Sequence, residues 1–205
     1  MKIRGFSENG NWYKGNIHSH TVNSDGHLTP EEAVKLYSEN GYSFLAFSEH
    51  DMYTDYREQF NRKDFIILPA IEASSVLMAG DGSHRVLKVH HIHGILGTSD
   101  MQKKTRGSLF SHMERHIPGL SFGEWNGADE AQKLCDMLKA RGCITVYNHP
   151  VWSRVIPEEF INTAGLTAIE IFNYNTVNES GTGYDTPYWD LMLRTGGQIN
   201  ATASD

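Results

Sequence analysis

Short apolar runs alternate with helical patterns along most of the chain. The clearest helix begins at Thr29-Pro30 and ends before Gly41, with residue types typical of helix boundaries. The predicted strands are Lys14–His20, Ser43–Ser48, Phe65–Ile71, Arg85–Leu96, Cys143–Tyr147, Leu166–Phe172 and Gly197–Thr202. The predicted helices are Pro30–Asn40, Ala128–Arg141, Pro157–Asn162 and Thr186–Thr195. This alternation predicts βα units and a mostly parallel sheet or barrel.

Two stretches lack a clear period. Met52–Asn61 is predicted as a helix or a loop, and residues 98–127 form a long polar loop with several glycines. A loop of that length inside a domain is usually functional or mobile. We find no repeat and no linker, so residues 1–205 are expected to form a single domain.

Charge and cysteine content exclude several classes of protein. The 205 residues carry a net charge of −7, from 18 basic and 25 acidic residues, which disfavours nonspecific binding to nucleic acid. Cys135 and Cys143 are too few for a disulfide scaffold and are expected to be reduced thiols. No apolar run approaches the ~18 residues of a membrane span. The first residues lack a signal-peptide core, so a cytoplasmic location is expected.

The segment His18-Ser19-His20, followed by Asp25, is the first candidate for metal chemistry. If it ends a strand, the two imidazoles point to the same face, and the Asn-Ser-Asp-Gly turn can bring a carboxylate back towards them. Imidazole and carboxylate together suit zinc, manganese or iron. On its own, the segment is more simply interpreted as a polar surface turn.

The same chemistry recurs where other predicted strands end. The residues in or just after predicted strands are His18, His20, His50, Glu72, His91 or His93, His149 and Asp205. In a barrel or an open α/β sheet, the carboxyl ends of parallel strands share one face, where sites form. We therefore expect these side chains to converge on one site, although a polar network at strand ends is the alternative.

The ordered set of motifs resembles the PHP (polymerase and histidinol phosphatase) metallohydrolase superfamily. The opening motif, Trp12 to Thr21, resembles its carbaryl-hydrolase-like branch most. The other matching segments are Ser24 to Glu32, Gly41 to Asp51, Ala70-Ile71-Glu72, His91-Ile92-His93-Gly94, Asn148-His149-Pro150 and Ala203-Ser204-Asp205. The resemblance implies a distorted (β/α)7 barrel with two or three divalent metal ions, incomplete at its C-terminal end. It also implies hydrolysis, most often of phosphate esters.

The resemblance also implies a ligand set. His18 and His20 would hold a first ion that Asp205 completes, and Glu72 would bridge it to a second ion. The ligands implied for the second ion are His91 and His149, and those for a third are Asp25 and His50. The family's last motif is Asp-x-His, and its histidine is missing here, so we expect the native chain to continue past Asp205. A weakened third site is the alternative.

Several further residues are candidates for supporting roles. His91 is preferred as a ligand over His90 and His93, and His93 could face the substrate. Glu170 lies inside a strand and is expected to hydrogen-bond a ligand histidine. Arg154 and His27 are candidate substrate contacts, with a surface arginine and a solvated histidine as alternatives. Tyr174 and Asn175 are further candidate contacts, whereas the basic residues Lys103, Lys104 and Arg106 could form a lid or a solvated surface.

The function predicted from these features is a metal-dependent phosphoesterase that uses a metal-bridging hydroxide on a small anionic phosphate ester. No Gly-x-Ser-x-Gly elbow and no P-loop occur, which argues against a serine hydrolase and a nucleotide triphosphatase. An amide or carbamate ester hydrolase with the same centre is one alternative, and an inactive metal-binding module is another. The expected partners are small phosphorylated, ester or amide substrates, with no membrane and no nucleic acid beyond a nucleotide or short oligonucleotide.

Overall fold

A computed structural model describes residues 9–204. The strands are β1 (Gly15–Asn16), β2 (Phe44–Phe47), β3 (Met52–Tyr53), β4 (Ile66–Met78), β5 (Val86–Leu96), β6 (Glu114–Arg115), β7 (Gly119–Phe122), β8 (Cys143–Tyr147), β9 (Ala168–Asn173) and β10 (Asn200–Ser204). The α-helices are α1 (Pro30–Glu39), α2 (Arg57–Phe60), α3 (Ser99–Lys104), α4 (Gly127–Ala140), α5 (Tyr174–Ser180) and α6 (Thr186–Arg194), and Pro157–Glu159 is a 3₁₀ helix. The predicted ligand Asp205 lies outside the described residues.

Seven of the strands form a nearly closed, barrel-shaped sheet in the order β1-β2-β4-β5-β8-β9-β10. The short strand β7 pairs with β4 beside this path, and β3 pairs with β6 in a separate two-stranded sheet. All neighbouring barrel strands other than those involving β5 are parallel. The predicted α/β architecture, a distorted (β/α)7 barrel, is thereby confirmed.

Strand β5 runs antiparallel to both of its neighbours, β4 and β8. Residues 79–85, which connect β4 to β5, are too few for the crossover that parallel strands require. The expectation that β5 ends at the same face as the other strands is therefore wrong. Its histidines lie inside the strand, and His93 pairs directly with Glu72 of β4.

A layer of small apolar residues lies across the barrel strands. It consists of Ala46, Ala70, Ile95, Val146 and Ala168, one residue from each of five neighbouring strands. Because side chains alternate along a strand, Glu72, His93 and Glu170 lie on the same face as this layer, one step further along their strands. The polar groups therefore sit next to a packed apolar floor.

The helices that flank the barrel follow the predicted patterns. The helix α1 begins with a capping box, in which Thr29 accepts from the Glu32 backbone N–H and Glu32 accepts from that of Thr29. The helix α4 buries Ala131, Leu134 and Leu138, a spacing that gives one apolar face against β5 and β8. Cys135 and Cys143 are buried free thiols, as predicted.

Several predicted boundaries change. The strand predicted at Lys14–His20 is only Gly15–Asn16, and the one predicted at Phe65–Ile71 extends to Met78. Residues 98–127 contain α3, β6 and β7, and Met52–Asn61 contains β3 and α2. The helix α5 was not predicted at all. Within the described residues, no helix is both long enough and apolar enough to span a membrane.

Candidate metal centre

The fully buried carboxylate of Glu72 lies at the centre of a cluster of imidazoles. Its Oε1 atom is 3.5 Å from His18 Nε2, 3.5 Å from His91 Nδ1 and 3.3 Å from His149 Nε2. Its Oε2 atom is 3.4 Å from His20 Nε2 and 3.0 Å from His50 Nδ1. Five histidines from four separate segments of the chain thus converge on one glutamate.

Four sets of three donor atoms lie within 4.8 Å of one another and could each hold a metal ion. The sets are His18, His20 and Glu72; His50, Glu72 and His91; His20, Asp25 and His50; and His18, His149 and Glu170. Because Glu72 belongs to two of these sets, it could link two ions. The first set contains the residues predicted for the first ion apart from Asp205, and the third set contains the predicted Asp25 and His50 together with His20, which the prediction assigned to the first ion. In the second set His50 stands beside His91, whereas the prediction placed His149 there.

Orphaned polar atoms within the cluster fit a divalent ion. Glu72 Oε2 and His91 Nδ1 are buried, and neither makes a hydrogen bond of normal geometry among the residues that the structure describes, although His50 Nδ1 lies 3.0 Å from Glu72 Oε2. Buried polar atoms without partners are costly, and a coordinated cation is one way to satisfy such atoms. The donors are imidazole nitrogens and carboxylate oxygens, a set suited to zinc, manganese or iron.

A buried glutamate shapes the loop that carries His20 and Asp25. The Glu49 carboxylate accepts hydrogen bonds from the Thr21 backbone N–H at 3.1 Å and from the Thr21 and Ser24 hydroxyls at 2.5 Å. At Gly26 a Cβ atom would lie 2.3 Å from the His20 carbonyl oxygen, so only glycine permits the close return of the chain. The result is that Asp25 Oδ2 lies 3.3 Å from His50 Nε2.

The backbone has unusual geometry at the ligand candidate His149 and at Asp51, the residue after the ligand candidate His50. His149, two residues after the end of β8, has a φ of 24°, and Asp51, directly after His50, has a φ of 52°. Non-glycine residues rarely adopt positive φ, and they cluster at functional sites where the surrounding structure holds them. Asp51 is held by Ser74, whose backbone N–H and hydroxyl donate to its carboxylate at 2.8 and 2.6 Å.

Glu170 orients His18. Its Oε1 atom accepts a hydrogen bond from His18 Nδ1 at 2.9 Å, and Ser204 donates a further short hydrogen bond to the same oxygen. Asn173 donates to Glu170 Oε2 at 3.3 Å. The Nδ1 contact fixes the ring so that Nε2 faces His20 and Glu72, at 3.1 and 3.5 Å.

We expect Glu170→Gln to weaken metal binding by about 10- to 100-fold, because hydrogen-bond partners of ligand histidines typically contribute that much. Glutamine keeps the size of the side chain but loses the charge that favours the Nδ1–H tautomer of His18. Titration with zinc, followed by competition with a chelator, measures the change. An unchanged affinity would show that His18 needs no such support.

The three histidines of β5 lie on opposite faces. His90 faces the helix layer, where its ring stacks on Trp125 and its Nδ1 atom makes a short hydrogen bond to the Tyr147 hydroxyl. His91 and His93 face the cluster, as strand alternation predicts. His93 packs edge-on against His18 with 4.2 Å between ring centroids, but it belongs to none of the three-donor sets found among the described residues.

Both ring nitrogens of His93 are buried and lack a hydrogen-bond partner among residues 9–204. Replacing such a group with an apolar side chain of similar size removes a desolvation penalty of about 1–3 kcal/mol. We therefore expect His93→Leu to raise the free energy of unfolding and to leave zinc affinity nearly unchanged. Denaturant unfolding and zinc titration test both parts, with His91→Leu as the matched control that should lose zinc affinity. A loss of zinc affinity in His93→Leu would instead make His93 a ligand.

The carboxylates control the protonation of the imidazoles. Burial opposes the charged form of His18, but Glu170 and Glu72 outweigh burial and raise its pKa to about 10. Burial likewise opposes the charged form of His50, whose pKa is raised to about 11 by Glu72 and Asp25. For His20, burial dominates and lowers the pKa to about 3. The hydrogen bond from His50 lowers the pKa of Asp25 to about 2.

Metal binding is therefore expected to release protons near neutral pH. His18 and His50 have pKa values of about 10 and 11 and hold protons in the chelator-treated protein, whereas a ligand imidazole must be deprotonated. Because protons compete with zinc for these ring nitrogens, apparent zinc affinity should rise with pH through the neutral range. Calorimetry in buffers with different ionisation enthalpies should show about two protons released per protein. Binding without proton release would contradict this protonation pattern.

A cavity of about 530 Å³ opens from the cluster to solvent. Apart from His93 and Glu170, the described candidates from the cluster line it, as do the predicted contacts His27, Tyr174 and Asn175. Arg154 is exposed and does not line this cavity, so its role in substrate binding stays a prediction. The basic residues Lys103 and Lys104 lie at the end of α3 and are likewise absent from the lining.

Several residues of the site were not given a role by the sequence. Asn148 donates to Glu72 Oε1 at 2.6 Å and thereby orients the central carboxylate. Asn173 caps α5 and contacts Glu170, and Trp152 packs against His91 and His149. The signal for Asn148 was its position beside His149 in the Asn-His-Pro motif. For Trp152 the sequence favoured the core or a pocket wall, without indicating its contacts with His91 and His149.

No family model and no curated protein matches the chain. A provisionally assigned metal-dependent phosphoesterase from Bifidobacterium adolescentis matches in structure with a TM-score of 0.59 and 14% identity, covering 94% of this chain and 86% of its own. An amidohydrolase from Chromobacterium violaceum, solved with sulfate and no metal, matches with a TM-score of 0.54 and 15% identity over 94% and 86% of the two chains. A two-domain protein from Bacteroides vulgatus, containing a predicted PHP-like metal-dependent phosphoesterase, covers 91% of this chain and 50% of its own at 16% identity, and its TM-score of 0.47 is too low to bear on the fold. The first two likenesses show that the chain has the same barrel fold as these proteins.

Proposed function

We propose that the protein is a metal-dependent hydrolase of the PHP superfamily and that it cleaves phosphate esters. The observation that carries this proposal is the position of Glu72, whose carboxylate is shared by two three-donor sets in a buried cluster that opens into a cavity. Two-metal sites serve phosphatases and nucleases, and they also occur in aminopeptidases. The likeness in fold to a phosphoesterase supports the same class. The carbaryl-hydrolase-like branch finds no support among the neighbours and stays a prediction.

The residues that would hold the ions are those of the donor sets: His18, His20 and Glu72 for one, and His50, His91 and Glu72 for another. His149 lies within 3.3 Å of Glu72 and is a further candidate. When bound, the cations supply Lewis-acid stabilisation of the transition state and lower the pKa of water to near neutrality.

The chain itself contributes preorganisation and proton control. Glu170, Asn148 and Glu49 fix the ligand side chains from behind, so that their orientation requires no rearrangement during the reaction. Asp25 and His27 lie at the cavity wall, where they can contact a substrate or a leaving group. The apolar layer at the floor excludes water from the inner side of the cluster.

The test is an assay of chelator-treated protein before and after addition of manganese or zinc. We expect hydrolysis of p-nitrophenyl phosphate to appear with metal and to be lost again with a chelator. Elemental analysis should find at least two metal equivalents. Two bound equivalents with no turnover of any phosphate ester would contradict the proposal, and fewer than two would favour an inactive metal-binding module.

An amide or carbamate ester hydrolase is the second candidate, supported by the likeness in fold to an amidohydrolase. The same metal centre serves acyl carbon as well as phosphorus, because both reactions develop negative charge on oxygen. Aryl carbamates and esters tested beside p-nitrophenyl phosphate distinguish the two. A preference for the carbamates by kcat/KM would select this alternative.

A further inference from the structure

One part of the cavity wall is formed by α5 and by Trp152, whose ring packs against His91 and His149 of the imidazole cluster. Tyr174, Asn175, Asn178 and Glu179 of α5 line this wall. Tyr174 is largely exposed, so its ring is available for a ligand. The wall therefore offers aromatic faces, side-chain amides and one carboxylate to whatever part of a substrate extends beyond the reacting group.

No lysine or arginine lines the cavity within residues 9–204. The charged side chains of the lining, apart from the imidazoles, are the carboxylates of Asp25, Glu72 and Glu179. Cations bound to the cluster would neutralise a reacting phosphate, but they lie at the inner end of the cavity. A second anionic group on the substrate would meet amides and a carboxylate, with no cation to offset the cost of its desolvation.

Trp152 holds the Glu179 side chain in place and also contacts the imidazole cluster. Its Oε2 atom accepts a hydrogen bond from Trp152 Nε1 at 3.0 Å. The Trp152 ring lies against His91 and His149, with 5.8 and 5.1 Å between ring centroids. Glu179 Oε1 accepts no hydrogen bond from the described residues, so it is available to a donor on a ligand. The Trp152 indole thus lies between the Glu179 carboxylate and the candidate ligands His91 and His149.

We infer that the cavity selects esters whose leaving group is an uncharged or cationic alcohol, and that Glu179 is a specificity-determining residue for this choice. The inference rests on the proposed function, because it assumes hydrolysis at the imidazole cluster. Nucleoside polyphosphates, bisphosphates and phosphorylated carboxylic acids are disfavoured as substrates, since each carries a second anion to a wall that has no lysine or arginine among the described residues. Cationic leaving groups gain from Glu179, and neutral polyols gain from the amides and aromatic rings.

Three phosphate monoesters of similar shape test the charge preference in the metal-loaded protein. Phosphocholine has a cationic leaving group, 3,3-dimethylbutyl phosphate is its neutral isostere, and the phosphate ester of 4-hydroxybutyrate carries a carboxylate. We expect kcat/KM to be highest for phosphocholine and lowest for the carboxylate ester. An equal or higher kcat/KM for the carboxylate ester would overturn the inference.

Variants at Glu179 test the residue itself. Glu179→Gln keeps an oxygen for Trp152 Nε1 but removes the charge, and it should reduce the cationic-to-anionic ratio of kcat/KM by about two- to fivefold, the range of an exposed charge pair. Glu179→Lys should reverse the preference, and the neutral ester should change least in both variants. Glu58→Gln, on the exposed helix α2, is the matched control and should leave the ratio unchanged. A ratio that is unchanged in both Glu179 variants would overturn the assignment of Glu179.

Failure of the proposed function has a different signature. If p-nitrophenyl phosphate and all three esters were inert in protein with two metal equivalents, phosphoester hydrolysis itself would be excluded, and this inference with it. If p-nitrophenyl phosphate were hydrolysed and the carboxylate ester preferred, only the inference would fall. Melting temperatures of the variants exclude unfolding as the cause of any change.

Discussion

Replacing Glu72 with glutamine is expected to lower kcat/KM for metal-dependent hydrolysis by about 10³-fold or more. The carboxylate lies within 3.0–3.5 Å of five imidazoles and belongs to two of the donor sets. Glutamine removes its charge and one acceptor oxygen, so neither set keeps its anionic ligand. A loss of several kcal/mol of transition-state stabilisation corresponds to this factor. Steady-state kinetics with p-nitrophenyl phosphate, together with elemental analysis, measures it.

Glu159→Gln is the matched control for this substitution. Glu159 is a part-buried glutamate outside the cluster, where it accepts from Lys88 and from the Trp125 indole N–H at 2.8 Å. The Glu159→Gln substitution can change the stability of the protein, but it should leave kcat/KM within a few-fold of the wild-type value. If Glu72→Gln kept a tenth of the activity with full metal content, Glu72 would not be the shared ligand that the geometry indicates.

Manganese or zinc is expected to raise the melting temperature of chelator-treated protein by about 5–10 °C. A ligand that binds only the folded state at 100 times its Kd stabilises by about 2.7 kcal/mol, and in a domain of this size each kcal/mol shifts Tm by about 2–4 °C. The donors come from distant parts of the chain, such as His18 and His149, so the unfolded chain cannot present them together. Differential scanning fluorimetry with and without metal measures the shift.

The Glu72→Gln variant serves as the reference for the thermal shift. It should lose most of the stabilisation, because both donor sets that contain Glu72 are impaired. Magnesium at the same concentration should have a smaller effect, since it prefers oxygen ligands over imidazole. An equal shift in Glu72→Gln would mean that the metal binds elsewhere on the protein.

The elements with the strongest local signals could be predicted from the sequence. Strand β8 has the predicted bounds, Cys143–Tyr147, because an apolar run is flanked by Gly142 and Asn148. The helix α1 begins at the predicted Pro30, since Thr29 and Glu32, which form its capping box, are close together in the sequence. Where apolar periodicity, caps and turn residues agree, the local sequence is sufficient.

The direction of β5 could not be obtained from periodicity, which is the same for parallel and antiparallel strands. The signal that was missed is Gly80-Asp81-Gly82, a turn sequence typical of hairpins between two apolar runs. The helix α5 was missed because Tyr174–Ser180 contains mostly residues of low helix propensity, although Asn173 and Gly181 cap it at both ends.

In the site, the structure brings together the predicted ligands other than Asp205, which lies outside the described residues, but their grouping could not be predicted from the sequence. His50, His91 and His149 all lie within 3.5 Å of the same carboxylate, so differences of a few tenths of an ångström decide which donors form a set. Such differences depend on packing, for example on the Trp152 ring against His91 and His149. Contacts that depend on tertiary packing of this kind have no local sequence signal.

The long antiparallel pairing of β4 with β5 has a consequence for how the protein folds. Glu72 and His91 are joined by a short connection, and the hairpin that presents them can form from contacts between nearby residues. His18 and Glu170 are 152 positions apart in the sequence, so their contact costs more loop-closure entropy. We therefore expect the hairpin to be protected from amide exchange early in refolding, and the pairing of His18 with Glu170 to complete the barrel late.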